Sequence, residues 1–176
     1  MLAGKTETTK LCLQLLSHIA SEQHRSLDTP DRIEDKVLAT NPVLESFGNA
    51  KTARNNNSSR FGKWLEISYT IDKRAKGSKP QLQGAKITPY LLEKSRVVQH
   101  ASDERNYHIF YQVCANGVLD LQPAASYRYL RFSKSMKIAG VDDKKEFEET
   151  CESMIRLGFT GNCFVIYIYI CFLLWF

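Results

Sequence analysis

Apolar and small side chains recur near the start of the chain at the spacing of one helix face. The positions that share this face are Thr8, Cys12, Leu15, Leu16 and Ile19. Because residues at these separations lie on the same side of an α-helix, the pattern predicts an amphipathic helix over residues 5–22. The polar residues 23–31 then predict a loop.

A second helical pattern is interrupted by a proline. Ile33, Val37 and Leu38 predict a short helix that stops at the Asn41-Pro42 pair, because the residue before a proline disfavours the helical conformation. Pro42 is suited to the first turn of a new helix, which we predict over residues 43–47.

Two more helices are predicted in the second half of the chain. Residues 104–115 are too apolar for a surface helix, so we expect a helix that is buried on most sides. Asp142 or Asp143 is placed to cap a last helix that ends before Gly158. The side chains expected on the buried face of this helix are Phe147, Cys151, Met154 and Ile155.

Alternating polar and apolar side chains over residues 64–71 predict a strand, and a second run over residues 82–91 predicts its antiparallel partner. The turn between them carries a basic cluster, for which a solvated loop tip is favoured over a phosphate site: Lys73, Arg74, Lys76 and Lys79. Val97 and Val98 predict the end of a further short strand. Residues 48–60 are rich in Asn and Ser, which favour loops because their side chains compete for backbone hydrogen bonds.

Composition narrows the class of protein. Apolar residues make up 43% and charged residues 24% of the 176 residues, which are values of an ordinary globular domain. The net charge of +5 is small and dispersed, so nucleic acid is not an expected partner. The five cysteines form no C-x-x-C pair, which indicates reduced thiols and a cytoplasmic protein. The four histidines show no metal-ligand spacing.

The last residues differ from the rest. Residues 163–176 form an uninterrupted apolar run without charge. A bilayer-spanning helix needs about 20 apolar residues, so membrane insertion is not expected. Uncharged β-branched and aromatic residues are typical of aggregation-prone segments, so we expect this run to lower solubility.

The chemistry begins at Ala3, Gly4, Lys5 and Thr6, which open the first predicted helix. They match the second half of the phosphate-binding loop G-x-x-x-x-G-K-[ST]. Such a loop needs backbone N–H groups around the phosphates, a lysine for the outer phosphates and a hydroxyl for Mg²⁺. The first glycine of the pattern has no counterpart in this sequence, so the half-loop alone is a weak signal.

A second motif makes the signal specific. Residues 55–62 have the sequence N-N-N-S-S-R-F-G, preceded by N-P-V-L-E-S-F-G-N-A at residues 41–50. Further on, Y-L-L-E-K-S-R-V-V at residues 90–98 and E-R-N-Y-H-I-F-Y-Q at residues 104–112 complete the pattern. Together these segments resemble the motor head of myosins, in which N-x-N-S-S-R-F-G is the first switch loop. The resemblance covers residues 3–160, so we assign 1–160 to a partial motor domain and 161–176 to an atypical tail.

The resemblance implies roles for individual residues. Lys5 would hold the β- and γ-phosphates of ATP, Thr6 would bind Mg²⁺, and the backbone of Ala3 and Gly4 would approach the phosphates. In the switch loop the implied roles are as follows: Asn55 contacts phosphate, Ser58 lies near the attacking water, Ser59 is the second Mg²⁺ ligand, and Arg60 pairs with a glutamate of the second switch loop.

The resemblance further implies an α/β fold of the phosphate-loop NTPase type, represented by part of a twisted central sheet with flanking helices. The implied function is that of an ATP-dependent, actin-based cytoskeletal motor, with actin filaments and light chains as partners of the whole motor. The alternative is a non-motor product that acts as an interaction fragment or is inactive. Because the second switch loop and the first half of the phosphate loop do not occur in this sequence, we expect little ATPase activity from the chain alone.

Overall fold

A computed structural model describes residues 8, 11, 12, 15, 33–71, 80–117 and 121–160. Two compact units are present: Met1–Leu38 with Lys63–Tyr90, and Ala39–Gly62 with Leu91–Phe176. The helices are α1 (Ile33–Gly48), α2 (His108–Asn116) and α3 (Asp143–Arg156), with 3-10 turns at Lys94–Val97 and Ala124–Ser126. The strands are β1 (Asn49–Ala50), β2 (Ser58–Ser59), β3 (Gly62–Thr70) and β4 (Gln81–Tyr90).

The beginning of the chain is described only in part. Thr8, Leu11, Cys12 and Leu15 are helical, as the predicted first helix requires. The rest of that helix, the loop at residues 23–31, the basic cluster and the tail at residues 161–176 lie outside the described residues. Within the part of the chain that the structure describes, no helix has the length and apolarity needed to cross a membrane.

Helix α1 runs without interruption through Pro42, so the predicted break at Asn41-Pro42 is wrong. A proline inside a helix removes one backbone donor, and that loss is offset where tertiary packing holds the turns on both sides. Ala39 and Asn41 are buried before the proline and Ser46 is buried after it. The Ser46 hydroxyl also donates a hydrogen bond to the Gln112 carboxamide oxygen on α2.

The two predicted strands around residues 64–71 and 82–91 are β3 and β4, which pair in a two-stranded sheet. A second two-stranded sheet pairs β1 with β2 in antiparallel fashion. Val97 ends a 3-10 turn and not the predicted strand, because a two-residue apolar run cannot fix the conformation by itself. The described residues therefore combine helices with small sheets, which confirms a mixed α/β class.

The hydrophobic core of the second unit lies around α2, which packs against α3. Six consecutive residues of α2, from His108 to Val113, are buried, as predicted. Asp142 caps α3 by accepting a hydrogen bond from the Lys144 N–H at 3.0 Å, and this cap was also predicted. The buried core side chains are Ala50, Val97, Tyr107, Ile109, Phe110, Tyr111, Val113, Leu130 and Phe147.

One residue of α3 departs from the predicted buried face. Phe147 and Met154 are buried and Cys151 is half-buried, but Ile155 is 69% exposed. Ile155 lies about 100° from Met154 around the helix axis. The buried stripe of α3 runs on the other side of Met154, through Thr150 and Ser153, so Ile155 falls beyond its edge.

Candidate functional site

The Asn/Ser-rich segment forms a tight hairpin. Asn49 pairs with Ser59 and Ala50 pairs with Ser58, and the Arg60 N–H extends this pairing by donating to the Gly48 carbonyl at 2.8 Å. On its other side, β1 meets the segment that leads into α2: Ala50 forms an isolated bridge with Tyr107. The hairpin is thus held between α1 and the start of α2. We refer to residues 51–60 as the switch loop.

Gly48 allows the close approach on which this hairpin depends. A Cβ atom at this position would lie far inside van der Waals contact with two carbons of the Phe61 ring. Only glycine therefore fits at the end of α1, where the chain enters β1 directly beneath Phe61.

Hydrogen bonds within the switch loop fix its turn. The Thr52 N–H donates to the Asn55 carbonyl at 2.8 Å, and the Asn55 Oδ1 accepts from the Asn57 N–H at 2.9 Å. The latter is an Asx turn, which replaces a backbone turn with a side-chain one. The Nδ2 group is the donor of this side chain, so it is the part of Asn55 that could donate to a phosphate oxygen.

The two serines of the loop differ in exposure. Ser59 is exposed and its Oγ donates to the Phe61 carbonyl at 3.0 Å. Ser58 is half-buried and its Oγ accepts a hydrogen bond from Arg60 Nη1 at 3.3 Å. The structure therefore brings Asn55, Ser58, Ser59 and Arg60 together in one hairpin.

Arg60 has a carboxylate partner within this chain, and its pairing with a glutamate of the second switch loop stays a prediction. Its Nε lies 2.6 Å from Glu93 Oε2, and the Glu93 N–H donates to the Arg60 carbonyl at 3.0 Å. Backbone and side chain are thus fixed at the same place. Glu93 lies 33 positions from Arg60 in the sequence, so no local pattern indicates that the two side chains meet.

Glu93 serves two arginines. Its Oε2 also accepts from Arg96 Nε at 2.8 Å, and Arg96 in turn lies 2.8 Å from Glu104 Oε2. Burial disfavours the charged form of Glu93, but the hydrogen bonds from Arg60 and Arg96 outweigh it, so the pKa of Glu93 is lowered. Glu93 therefore stays ionised at neutral pH and holds Arg60 as a charged partner.

Leu91 leads into this cluster with an unusual backbone. Its φ of 53° lies in the left-handed region, which is uncommon for a residue other than glycine. The side chain is 85% exposed, so packing of Leu91 itself does not explain the conformation. The turn places Glu93 two residues later against the switch loop, which links the strained residue to the position of Arg60.

A model of the family "Myosin head (motor domain)" matches residues 2–174. Among curated proteins, Myosin-13 of Arabidopsis thaliana is 47% identical over 89% of this chain, and Myosin-15 of the same plant is 44% identical over 91%. Myosin-1 of Aspergillus clavatus is 44% identical over 91% of the chain. The chain belongs to the myosin head family. It spans about a tenth of the length of these relatives: 10% of the two plant myosins and 12% of the fungal one.

Myosin heads are motors, and family membership confirms the resemblance stated for residues 3–160. The matched range also includes most of residues 161–176, whose assignment to a separate tail stays a prediction. The phosphate-loop residues Ala3, Gly4, Lys5 and Thr6 lie outside the described residues, and their roles stay predictions as well.

The switch loop can be tested for its fit to Mg²⁺. Magnesium prefers oxygen ligands and is usually held by few protein groups together with water and phosphate. The Ser59 Oγ uses its proton on the Phe61 carbonyl, so its lone pairs are available, and the side chain is exposed. Ser59 therefore fits the predicted metal-ligand role. Among the described residues, no cluster of three or more His, Cys, Asp or Glu could hold a metal on its own.

The cysteines carry no evident chemistry of their own. Cys12, Cys114 and Cys151 are free thiols, as predicted, and Cys163 and Cys171 lie outside the described residues. Burial raises the pKa of Cys114 to about 12 and that of Cys151 to about 11. These two thiols are therefore protonated at neutral pH and poor nucleophiles.

Proposed function

We propose that this chain is part of the nucleotide-binding region of an ATP-dependent, actin-based motor, with a twisted central sheet of the phosphate-loop type in the whole motor. The observation that carries the proposal is the switch loop. Its predicted phosphate and Mg²⁺ contacts, Asn55, Ser58 and Ser59, lie on one hairpin in a member of the myosin head family.

In this proposal Lys5 neutralises the β- and γ-phosphates, with the backbone of Ala3 and Gly4 around them, and Thr6 and Ser59 are the two hydroxyl ligands of Mg²⁺. The bound Mg²⁺ would neutralise charge on the transferring phosphate. Ser58 is proposed to orient the attacking water, and the phosphorus–oxygen bond to ADP would break as the bond to water forms. The contribution of the protein is positioning and charge stabilisation.

Arg60 is proposed to close the site by pairing with a carboxylate. In this chain Glu93 already holds the guanidinium at 2.6 Å, so Arg60 is preorganised before any other partner reaches it. Movement of the switch loop between nucleotide states is then the step that passes the state of the nucleotide to actin affinity. Actin filaments, light chains and a cytoplasmic, cytoskeletal location are proposed for the whole motor.

The test is an NMR titration of the purified chain with Mg-ADP, because chemical shifts detect weak binding. We expect shifts at the amides of Asn55, Ser58 and Ser59, with a Kd weaker than about 1 mM, which corresponds to about −4 kcal/mol. Ser59→Ala should remove the dependence of these shifts on Mg²⁺. The matched control is Ser68→Ala, at an exposed serine of β3.

Two results would contradict the proposal: shifts confined to residues outside the switch loop, or a Ser59→Ala response equal to that of Ser68→Ala. Phosphate release measured with Mg-ATP on the same proteins should stay far below a motor-like rate, and Lys5→Ala should change it little.

A further inference from the structure

Asn57 lies inside the switch loop and is held by three neighbours. Its Nδ2 donates to Glu45 Oε2 at 2.9 Å, and its Oδ1 accepts from Asn49 Nδ2 at 2.8 Å. The third neighbour is His108, whose Nε2 lies 3.2 Å from the same Oδ1. Because a carboxylate can only accept, the orientation of the Asn57 amide is fixed, and its oxygen faces His108.

The ring of His108 is buried and contacts Arg105 on its other side. Arg105 Nη2 lies 2.9 Å and Nε lies 3.3 Å from His108 Nδ1. A guanidinium has donors only, so Nδ1 must be the accepting nitrogen. The proton of the neutral ring therefore resides on Nε2, where it points at the Asn57 oxygen. One tautomer satisfies both sides of the ring.

Arg105 is itself immobilised. Its guanidinium binds Asp143 in a bidentate manner, with Nη1 to Oδ2 at 2.9 Å and Nη2 to Oδ1 at 2.7 Å. Nη1 also donates to the Met136 carbonyl at 3.0 Å, and the ring of Tyr111 lies 4.5 Å from the guanidinium carbon. Bidentate pairs of this kind have a defined geometry as well as charge complementarity.

We propose that His108 is a positioning residue for the switch loop: as the Nε2–H tautomer fixed by Arg105 and Asp143, it holds Asn57 and thereby sets the placement of Ser58 and Ser59. This chain of contacts connects the start of α3 to the candidate nucleotide contacts. The inference rests on the function proposed for the switch loop only in its consequence for nucleotide binding, because the geometry itself is independent of any ligand.

Other contacts hold the end of the loop, where the Arg60 N–H donates to the Gly48 carbonyl and the Arg60 side chain pairs with Glu93. Ser58 and Ser59 form only a two-residue strand, and Asn57 precedes them directly. A side chain that is anchored on three sides can therefore determine where the two hydroxyls lie, whereas the backbone pairing alone spans only two residues on each strand.

The test compares His108→Gln with His108→Leu in the nucleotide-free chain. A glutamine can donate to Asn57 and accept from Arg105, whereas a leucine fills the space without a polar atom. We expect amide hydrogen exchange at residues 57–60 to rise about tenfold or more in the leucine variant and to stay within about threefold in the glutamine variant. A role in packing alone predicts the opposite order.

The matched control is His100→Gln. His100 is half-buried, and its Nδ1 lies 3.0 Å from the Ala101 carbonyl. Among the described residues, no hydrogen bond connects His100 to the switch loop. It should leave exchange at residues 57–60 unchanged. If the leucine variant unfolds, the tautomer of His108 in the wild-type protein tests the proposal instead. The ¹⁵N chemical shifts of its ring should show a protonated Nε2 and an unprotonated Nδ1 at neutral pH. The Nδ1–H tautomer, or equal exchange in the glutamine and leucine variants, would overturn the proposal.

A second arm separates this inference from the proposed function. Mg-ADP should shift the Ser58 and Ser59 amides less in the leucine variant than in the wild type. If wild-type exchange and tautomer agree with expectation but Mg-ADP shifts nothing in the loop, the positioning role stands and the proposed function fails.

Discussion

The described residues contain two pairs of strands that differ in how they are held. The β1–β2 pair has two residues on each strand, yet Asn49 and Ala50 are almost fully buried. The loop between the strands is hydrogen-bonded to two neighbouring helices, to Glu45 of α1 and to His108 of α2. The β3–β4 pair has nine and ten residues, and most of its described side chains are half-buried or exposed. The short pair carries the candidate site. The position of a loop between two strands therefore depends on its side-chain contacts more than on the number of paired residues in those strands.

The largest expected effect comes from the buried end of the contacts that hold the short pair. The Arg105 side chain is 1% exposed and Asp143 is its carboxylate partner. Asp143→Ala would leave a buried, unpaired charge, so we expect the free energy of unfolding to fall by about 3–5 kcal/mol. Urea denaturation followed by circular dichroism measures this change.

Glu152→Ala is the control for Asp143→Ala, because it removes the same charge from the same helix at a site that is 69% exposed. We expect a change below about 1 kcal/mol there. Equal losses in the two variants would show that Arg105 does not depend on Asp143.

Local features of the long strand pair and of α3 could be predicted from the sequence, whereas the short pair lies in a segment predicted to be a loop. Alternation predicted β3 and β4, and the position of Asp142 predicted the cap of α3, since these signals depend on near neighbours. The contacts of the site could not be predicted in this way. Glu93 is 33 positions from Arg60 and His108 is 51 positions from Asn57, and only the fold brings them together.

Family resemblance supplied what local patterns could not, but it did so unevenly. It indicated Asn55, Ser58, Ser59 and Arg60 and the hairpin contains them all, whereas it assigned the partner of Arg60 to a segment outside this sequence. Pro42 was misjudged for a different reason. Its intrinsic preference is overridden by the burial of Asn41 and Ser46, which is a property of tertiary packing.

A smaller loss of stability than that of Asp143→Ala is expected when the pH is lowered. Burial, together with the charge of Arg105, lowers the pKa of His108 to about 3, whereas an unfolded histidine has a pKa of about 6.5. As the pH falls below about 6.5, the unfolded state gains a proton that the folded state does not, so stability declines. Between pH 7 and pH 5 we expect a loss of about 2 kcal/mol from this residue, at about 1.4 kcal/mol per pH unit.

His108→Gln should remove this loss, because glutamine does not titrate. The measurement is urea denaturation of both proteins at pH 7, 6 and 5, where contributions from other groups are shared. Parallel declines in the two proteins would show that the proton uptake occurs elsewhere.

The smallest expected effect lies in the long strand pair. Glu66 accepts a hydrogen bond from Trp64 Nε1 at 3.0 Å, but both side chains are exposed. Water replaces such a bond at little cost, so Glu66→Ala should change the free energy of unfolding by less than about 0.5 kcal/mol.

Glu104→Ala is the matched change near the switch loop. The Glu104 carboxylate lies 2.8 Å from Arg96, whose side chain is only 4% exposed. A loss of about 1–3 kcal/mol is expected there, because the buried donor loses a charged partner. The comparison uses urea denaturation of both variants, and a loss at Glu66 that equals or exceeds the loss at Glu104 would mean that the long pair is held as firmly as the short one.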